Sequence, residues 1–520
     1  MSPRVITRPL GGSPLALAAL KGRAPDGWYE PAPDGAAAWK ARAGEIRGQF
    51  SALDWLGALG PAFDARGRAR ERLEAAASGR GVVVTTGQQP GLFGGPVYTL
   101  SKALTAVAFA EALEKASGIP VAPVFWAATD DSDFREASSI AVALPGGAEE
   151  LRAEAVGPLG LSMAATPMGD LSAQISSLVR AAGSTADPFA LEAVGRAYRE
   201  DATVGGAYVS LLRELLEPLG VGVLDAAHPA VRAAAMPVLS KALQRADEIA
   251  DAIATRDKEL GAAGFSPQVQ GVAGLSLVFE SAGGERKRIP VKAARKKSEG
   301  DGATEMGPNV LLRPVVERSI LPTVAYLGGP AEIAYFAQLG PISEVIEAGR
   351  PLILPRWSCT IIEPHVDEIL ARFQLSPEDF RDPHAAEGRV ARAQLPTDVV
   401  EATRRLAERI SSEVGTLKGA MERNDSPLHS AVVEGLRVNL AHRMDRFDRR
   451  MVAAAKRRNS EIMRDIGTAR GSLYPLGKQQ ERGLSFVPFM ARYGAQLIEK
   501  MLAEARKHAA RLIGGNTHDG

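Results

Sequence analysis

Cysteine is almost missing from this sequence: Cys359 is the only one in 520 residues. That excludes an intramolecular disulfide and a metal site built on several thiolates, and it fits a reducing compartment. A charge imbalance is missing as well. The 62 Lys and Arg face 61 Asp and Glu, for a net charge of +1, so bulk charge gives no argument for nucleic-acid or membrane binding. No stretch reaches about 18 consecutive apolar residues, which argues against a transmembrane helix. The opening MSPRVITRPLGGSPLALAALKG has no sustained apolar core after its basic start. No signal peptide is therefore expected, and the reading is a cytoplasmic protein.

Familiar site patterns are also absent. The seven histidines show no metal-ligand spacing with one another or with Cys359, so no metal centre is expected. No Gly-x-Ser-x-Gly elbow marks an α/β-hydrolase. No Gly-Lys-Ser/Thr follows Gly87, and the Gly-x-Gly-x-x-Gly spacing is missing, which removes the two commonest nucleotide loops. What is present is ordinary globular composition, 45% hydrophobic and 24% charged, in a chain long enough for two or three structural units.

The stretch from Val82 to Glu136 organises the chain. Val82-Val83-Val84-Thr85-Thr86 has the composition of a strand buried on both faces. A turn carrying Gly87, Gly91, Gly94 and Gly95 follows, then Leu100, Leu104, Val107 and Leu113 at helical spacing, with Gly118 and Pro120 as a stop. A second apolar run, Val121 to Ala128, ends in Asp130, Asp131 and Asp133. One β-α-β unit results. Its right-handed crossover puts the glycine turn and the acidic cluster at the same sheet edge, where open α/β sheets bind ligands.

Four blocks carry a family resemblance. The first is Thr86-Gly87-Gln88-Gln89-x-Gly91-Leu92-x-x-Gly95-Pro96-x-Tyr98-Thr99-x-x-Lys102, and the second is Pro123-Val124-Phe125-Trp126 leading into the acidic cluster. The third runs from Asn309-Val310-x-x-Arg313-Pro314 to Gly328-Gly329-Pro330-x-Glu332-Ile333-Ala334-Tyr335, and the fourth is Tyr474-Pro475-x-Gly477-Lys478-x-Gln480-Glu481-Arg482. Together they resemble the bacillithiol synthase family over nearly the whole chain. In one place the sequence departs: the family usually reads Glu-Asp-His-Asp-Phe where this chain has Asp130-Asp131-Ser132-Asp133-Phe134. Position 132 therefore offers a hydroxyl in place of the imidazole, while the carboxylates remain.

The resemblance implies a ligase that adds L-cysteine to glucosaminyl-malate by amide formation. It also implies a core like that of class I aminoacyl-tRNA synthetases, with ATP as the co-substrate that activates the carboxyl. No tightly bound cofactor is expected. Two other readings stay open. One is a non-catalytic dimeric scaffold that binds a nucleotide or amino acid; the other is an aminoacyl-tRNA-synthetase-like protein.

The expected fold class is α/β, a Rossmann-like nucleotidyl-transferase-type core with inserted segments and a C-terminal antiparallel helical hairpin. Residues 1–137 begin the core, including a helical stretch from about Pro61 to Ser78, and 138–204 form an insertion rising over the binding edge. Residues 205–228 return to the core. Residues 229–307 hold a long helix from about Ala230 to Ala262, a β-hairpin turning at Gly283-Gly284, and a mobile loop over KAARKKSEGDGATE. Residues 308–372 complete the core, 373–470 form the coiled-coil hairpin, and 471–520 pack back. Thr397 is expected to cap the first hairpin helix and Ser426-Pro427 to start the second. Val399, Leu406, Ile410, Val414, Leu417 and Met421 of the first helix, at mixed three- and four-residue steps, and the heptad-like positions Val433, Leu436, Leu440, Phe447, Met451 and Ala454 of the second give a narrow apolar seam. In the family this element makes a homodimer. The arginines from Arg443 to Arg458 have only Phe447 as an aromatic neighbour, which fits a solvated face better than base stacking, so no nucleic-acid partner is expected.

The candidate site is a cradle of backbone N–H groups, amides and charges. Lys102, Asp131 and Asp133 are the candidate catalytic residues. Gly87, Gln88, Gln89, Gly91, Gly95, Tyr98, Asp130, Asn309, Arg313, Gly328, Gly329, Glu332, Tyr335 and Arg356 are the candidate substrate- or nucleotide-binding residues. A carboxylate at a helix N-terminus and an ammonium at carboxylates would suit an amino acid. His228 reads as a helix-start residue and Cys359 as a small buried hydrophobe.

Overall fold

A computed structural model describes residues 2–515, apart from 79–80, 159, 185–186, 283–284, 300–304, 383 and 425–426. The chain divides into two compact units. The first comprises residues 1–142, 150–362 and 480–520; the second comprises 143–149 and 363–479.

The centre of the first unit is a five-stranded sheet: β1 (Val82–Gln88), β2 (Val121–Ala127), β3 (Gly222–Asp225), β4 (Thr323–Gly328) and β5 (Ile353–Pro355). Its order is β5-β4-β1-β2-β3, and every pairing is parallel. The valines and threonines of β1 are buried on both faces, as their unbroken β-branched run requires. Burying each valine side chain contributes about 1.5–3 kcal/mol. Between β1 and β2 runs α1 (Val97–Ser117), apolar around most of its circumference because it is buried on nearly all sides. Gly118 ends it in the left-handed conformation, φ 69°. The last long helix, Val487–Ile513, packs along α1. Strand order turns back between β1 and β4, so their carboxyl ends form the topological switch point of this sheet.

The inserted segments differ from the sequence reading in several places. The helical stretch before β1 is two helices, Trp55–Phe63 and Gly67–Ala77. The long helix breaks at Arg245 into Pro229–Gln244 and Ala246–Ala262. The KAARKKSEGDGATE segment is not a loop throughout. Val291–Ser298 is a helix, and Glu305–Pro308 is a strand that joins the hairpin Leu275–Ala282 and Glu285–Pro290 in a three-stranded antiparallel sheet. Ala294 gives that helix its one buried contact, a signal too weak to outweigh the charged composition around it. The remainder of that segment, 300–304, and the Gly283-Gly284 turn lie outside the described residues.

In the first unit a short helix, α2 (Pro330–Phe336), follows β4; in the second unit the coiled-coil helices are α3 (Thr397–Arg423) and α4 (Ser430–Arg458). Helices α3 and α4 pack on each other as the hairpin. Thr397 is the first helical residue rather than the cap, which is Pro396. Helix α4 starts later than expected, with the ring Nδ1 of His429 accepting from the Ala431 N–H at 3.2 Å; Pro427 precedes it, and Ser426 lies outside the described residues. Of the seam residues only Val414 and Val433 are buried, while Leu406, Leu417, Leu436 and Phe447 stay exposed. Among the described residues no helix is long and apolar enough to cross a membrane.

Candidate functional site

A cavity of about 560 Å³ opens at the switch point. One wall is the pair of glycine turns after β1 and β4. Facing it is the three-stranded sheet with the chain just after it, through Phe279, Arg286, Arg288, Pro308 and Asn309. The insertion 138–204, expected to rise over the edge, contributes none of its described residues to this cavity.

Lys102 and Glu332 tie the two turns together. Lys102 lies in the second turn of α1, and its Nζ donates to the Gly87 carbonyl at 2.7 Å and to Gln88 Oε1 at 3.0 Å. It also pairs with Glu332 Oε2 at 2.6 Å. Those three acceptors match the three N–H donors of an ammonium. Glu332 stands at the third position of α2, where its carboxylate accepts from the Gly329 N–H at 2.6 Å and from the Tyr326 hydroxyl. Burial pushes the Glu332 carboxyl up, but Lys102 and these two donors outweigh it and hold the group below its usual range. Burial pulls the Lys102 ammonium down against the opposing pull of Glu332.

The acidic cluster divides. Asp131 reaches the cavity, and its carboxylate accepts from Gln89 Nε2 and from the Ser132 N–H at 2.6 Å. Asp133 does not line this cavity; it caps the short turn Phe134–Ala137, accepting from the Glu136 N–H at 3.1 Å. Asp130 lies 3.6 Å from Arg286 Nη2. Burial raises its pKa, with Arg286 opposing and Asp131 adding to the rise.

Most of the other expected residues are here, many already engaged. Gln88 donates to the Tyr98 hydroxyl at 3.2 Å. Arg313 pairs with buried Glu317 at 2.7 Å, lies over the Tyr326 ring and donates to the Tyr335 hydroxyl at 3.4 Å. Asn309 Oδ1 accepts from the Leu312 N–H at 3.0 Å. Arg356 is held by Glu481, a bidentate pair buried at both ends. Gly91, Gly95 and Gly328 are off the cavity wall. A Cβ on Gly91 would lie 2.8 Å from the Gly95 Cα, and one on Gly328 would lie 2.6 Å from Ile353 Cδ1. These glycines serve packing inside their turns, not approach to a ligand. The Tyr198 hydroxyl locks the first turn, accepting from the Gly94 N–H at 2.9 Å and donating to the Gly91 carbonyl at 3.1 Å.

Glu136, Arg286, Arg288, Tyr326 and Arg482 also line the cavity and were missed by the sequence reading. Arg286 and Arg288 are two apart on one strand and so point to one face. That period was legible, but the surface they face is set by tertiary packing. Arg288 donates to the Ser276 and Leu275 carbonyls and, among the described residues, forms no ion pair with a carboxylate; burial alone lowers its pKa. Burial first, then Asp133 and Asp131, raises the pKa of Glu136. His228 is a helix cap, its Nδ1 accepting from the Ala230 N–H at 3.1 Å, and Cys359 is buried with its thiol pKa pushed far up. Among the described residues no cluster of His, Cys, Asp and Glu is arranged to hold a metal.

Comparison with known proteins covers nearly the whole chain. Residues 40–357 match the N-terminal Rossmann-like domain of bacillithiol biosynthesis BshC, and residues 359–512 match its C-terminal coiled-coil domain. A protein of Solibacter usitatus named "Putative cysteine ligase BshC" is 33% identical over 454 residues, covering 83% of this chain and 84% of the relative. Relatives of the same name from Koribacter versatilis and Natranaerobius thermophilus are 33% identical over 447 residues and 28% over 444. The first of these covers 81% of each chain, and the second covers 81% of this chain and 80% of the relative.

Proposed function

The chain belongs to the BshC family of bacillithiol biosynthesis, and from that premise we propose that it joins the carboxyl of L-cysteine to the amine of glucosaminyl-malate. Amide formation from a carboxylate and an amine expels the elements of water, so near neutral pH the carboxyl must first be activated. ATP is the co-substrate proposed for that step, in the cytoplasm.

The observation that carries this reading is the charge pairing around the cavity. Lys102, Arg286, Arg313 and Arg356 each have a carboxylate partner, whereas among the described residues Arg288 meets only carbonyl oxygens and so keeps its charge for an anionic ligand. Its proposed role is to hold a carboxylate of the malyl group; Arg482 lines the same cavity. Asp131 and Glu136 supply the acidic side. In this proposal Asp131 takes the proton that the incoming amine loses as the C–N bond forms. Lys102 holds the two glycine turns in register and is a positioning residue. Asp133, the third residue expected to be catalytic, acts through the turn it caps.

A second reading, a binding scaffold without catalysis, rests on Ser132 in the cavity wall where the family usually has histidine. Low-molecular-weight thiols in cells with and without the gene separate the two. Loss of bacillithiol with accumulation of glucosaminyl-malate supports the ligase; unchanged bacillithiol without accumulation overturns it.

A further inference from the structure

A second cavity of about 250 Å³ adjoins the first, and Trp126, Asp130, Arg286 and Pro308 line both. Beyond that common wall its lining is mostly small and apolar, with Ala164, Ala226, Val231, Ala235, Met306 and Val316, and its uncharged polar side chains are the hydroxyls of Ser162 and Ser281. Of its charged groups, Arg232 and Glu305 neutralise each other in an ion pair. That leaves Asp130 and Arg286, one anion and one cation, 3.6 Å apart in the shared wall. Trp126 belongs to the same wall, and its indole N–H is buried and, among the described residues, has no hydrogen-bond partner.

We infer that this smaller cavity takes the side chain of the amino-acid substrate, while Asp130 and Arg286 receive its α-ammonium and α-carboxylate. The inference rests on the ligase reading above and assigns one of its two substrates. A zwitterion carries the same two charges as the Asp130–Arg286 pair with opposite placement, so it can replace their mutual contact without leaving either charge alone. Seated this way, the carboxylate lies in the wall of the larger cavity, where the second substrate is proposed to bind. The side chain enters an apolar space with no counter-charge left over. A thiol or short alkyl group fits; a charged side chain would be buried without a partner.

Calorimetric titration of L-cysteine into the full-length protein tests this. Ala164 is half-buried in a loop segment, so Ala164→Leu fills the cavity from its edge. It should weaken cysteine binding at least tenfold and leave glucosaminyl-malate affinity within twofold. Competition in the wild type requires no variant: 2-aminobutyrate should displace cysteine, and aspartate and lysine should not. Unchanged cysteine affinity in a folded Ala164→Leu protein, equal loss of both ligands, or aspartate competing as well as 2-aminobutyrate overturns the inference. Product formation is scored separately. Cysteine binding that is sensitive to Ala164→Leu, with no amide product from the wild type, sinks the ligase reading and leaves the cavity assignment standing.

Discussion

Arg356 and Glu481, 125 residues apart, meet in a bidentate ion pair of 2.7 and 2.9 Å that is almost fully excluded from solvent. Arg356 follows the end of β5 and Glu481 lies where the chain re-enters the first unit, so the pair fastens the returning segment to the cavity edge. Removing one partner strands the other charge. Glu481→Leu should therefore cost about 3–5 kcal/mol, while the double variant Arg356→Met/Glu481→Leu should cost much less than the sum of the two singles. Urea denaturation of the four proteins measures the coupling; additive costs would show that the pair is not a unit.

The same pair sets a pH limit. Burial pushes the Glu481 carboxyl up, but Arg356 outweighs it and holds the group below its usual range. A carboxyl depressed in the folded state contributes stability that is complete above its unfolded pKa, about 4.3, and disappears as pH falls through the folded value. Glu332, depressed by Lys102, acts in the same direction. Stability should thus drop as pH falls below about 4, and Glu481→Gln should be less stable at pH 7 with a shallower acid decline. Thermal melts between pH 3 and 7 read both slopes.

Arg288 should show the opposite balance between stability and binding. Burial lowers its pKa and, among the described residues, no carboxylate compensates, so its charge costs folding energy at every pH at which it is protonated. Arg288→Met keeps the length and removes the charge. The melting temperature is expected to hold or rise, while KM for glucosaminyl-malate rises at least tenfold. A lower melting temperature with unchanged KM would make Arg288 a structural residue and remove its proposed role.

The first β-α-β unit was legible because its signals are local: a β-branched run for β1, an apolar run for β2, and between them an apolar helix stopped by Gly118. So was the first glycine turn, and Lys102, Gly328, Gly329 and Glu332 were among the candidate site residues. The sheet opposite them was not fully legible. Arg286 and Arg288 belong to a hairpin whose two strands were expected, but its third strand, Glu305–Pro308, and its placement over the switch point depend on contacts far apart in sequence. The division of the acidic cluster was also hidden. Asp130, Asp131 and Asp133 are near-neighbours with one side-chain chemistry, and only the chain's turn after β2 sends Asp133 away from the cavity.

The first glycine turn now carries a different expectation from the one its composition gives. Gly95 has φ +82°, and a Cβ there would lie 2.9 Å from Thr99 Oγ1. Gly95→Ala should therefore destabilise the protein by about 1–3 kcal/mol. Gln89→Ala should leave the melting temperature nearly unchanged while raising KM, because Gln89 lines the cavity and bonds Asp131. Melts and kinetics on the two variants side by side distinguish a turn that shapes the site from one that touches ligand.

The exposed seam of the coiled coil makes the last prediction. Leu406, Leu417, Leu436 and Phe447 remain 44–51% exposed on α3 and α4, although they lie on the heptad-like stripe that holds buried Val414 and Val433. The hairpin alone therefore covers only part of its apolar stripe. Exposed apolar area of this kind marks association, and a two-fold arrangement would cover each copy's stripe with the other's. Light scattering should give roughly twice the chain mass of 54.9 kDa. The double substitution Leu406→Asp/Leu436→Asp should reduce it to one chain while leaving the melting of the first unit in place, because neither residue belongs to that unit. A wild-type mass of one chain at every concentration would instead require the stripe to stay exposed or to be covered by another partner, and the homodimer would be withdrawn.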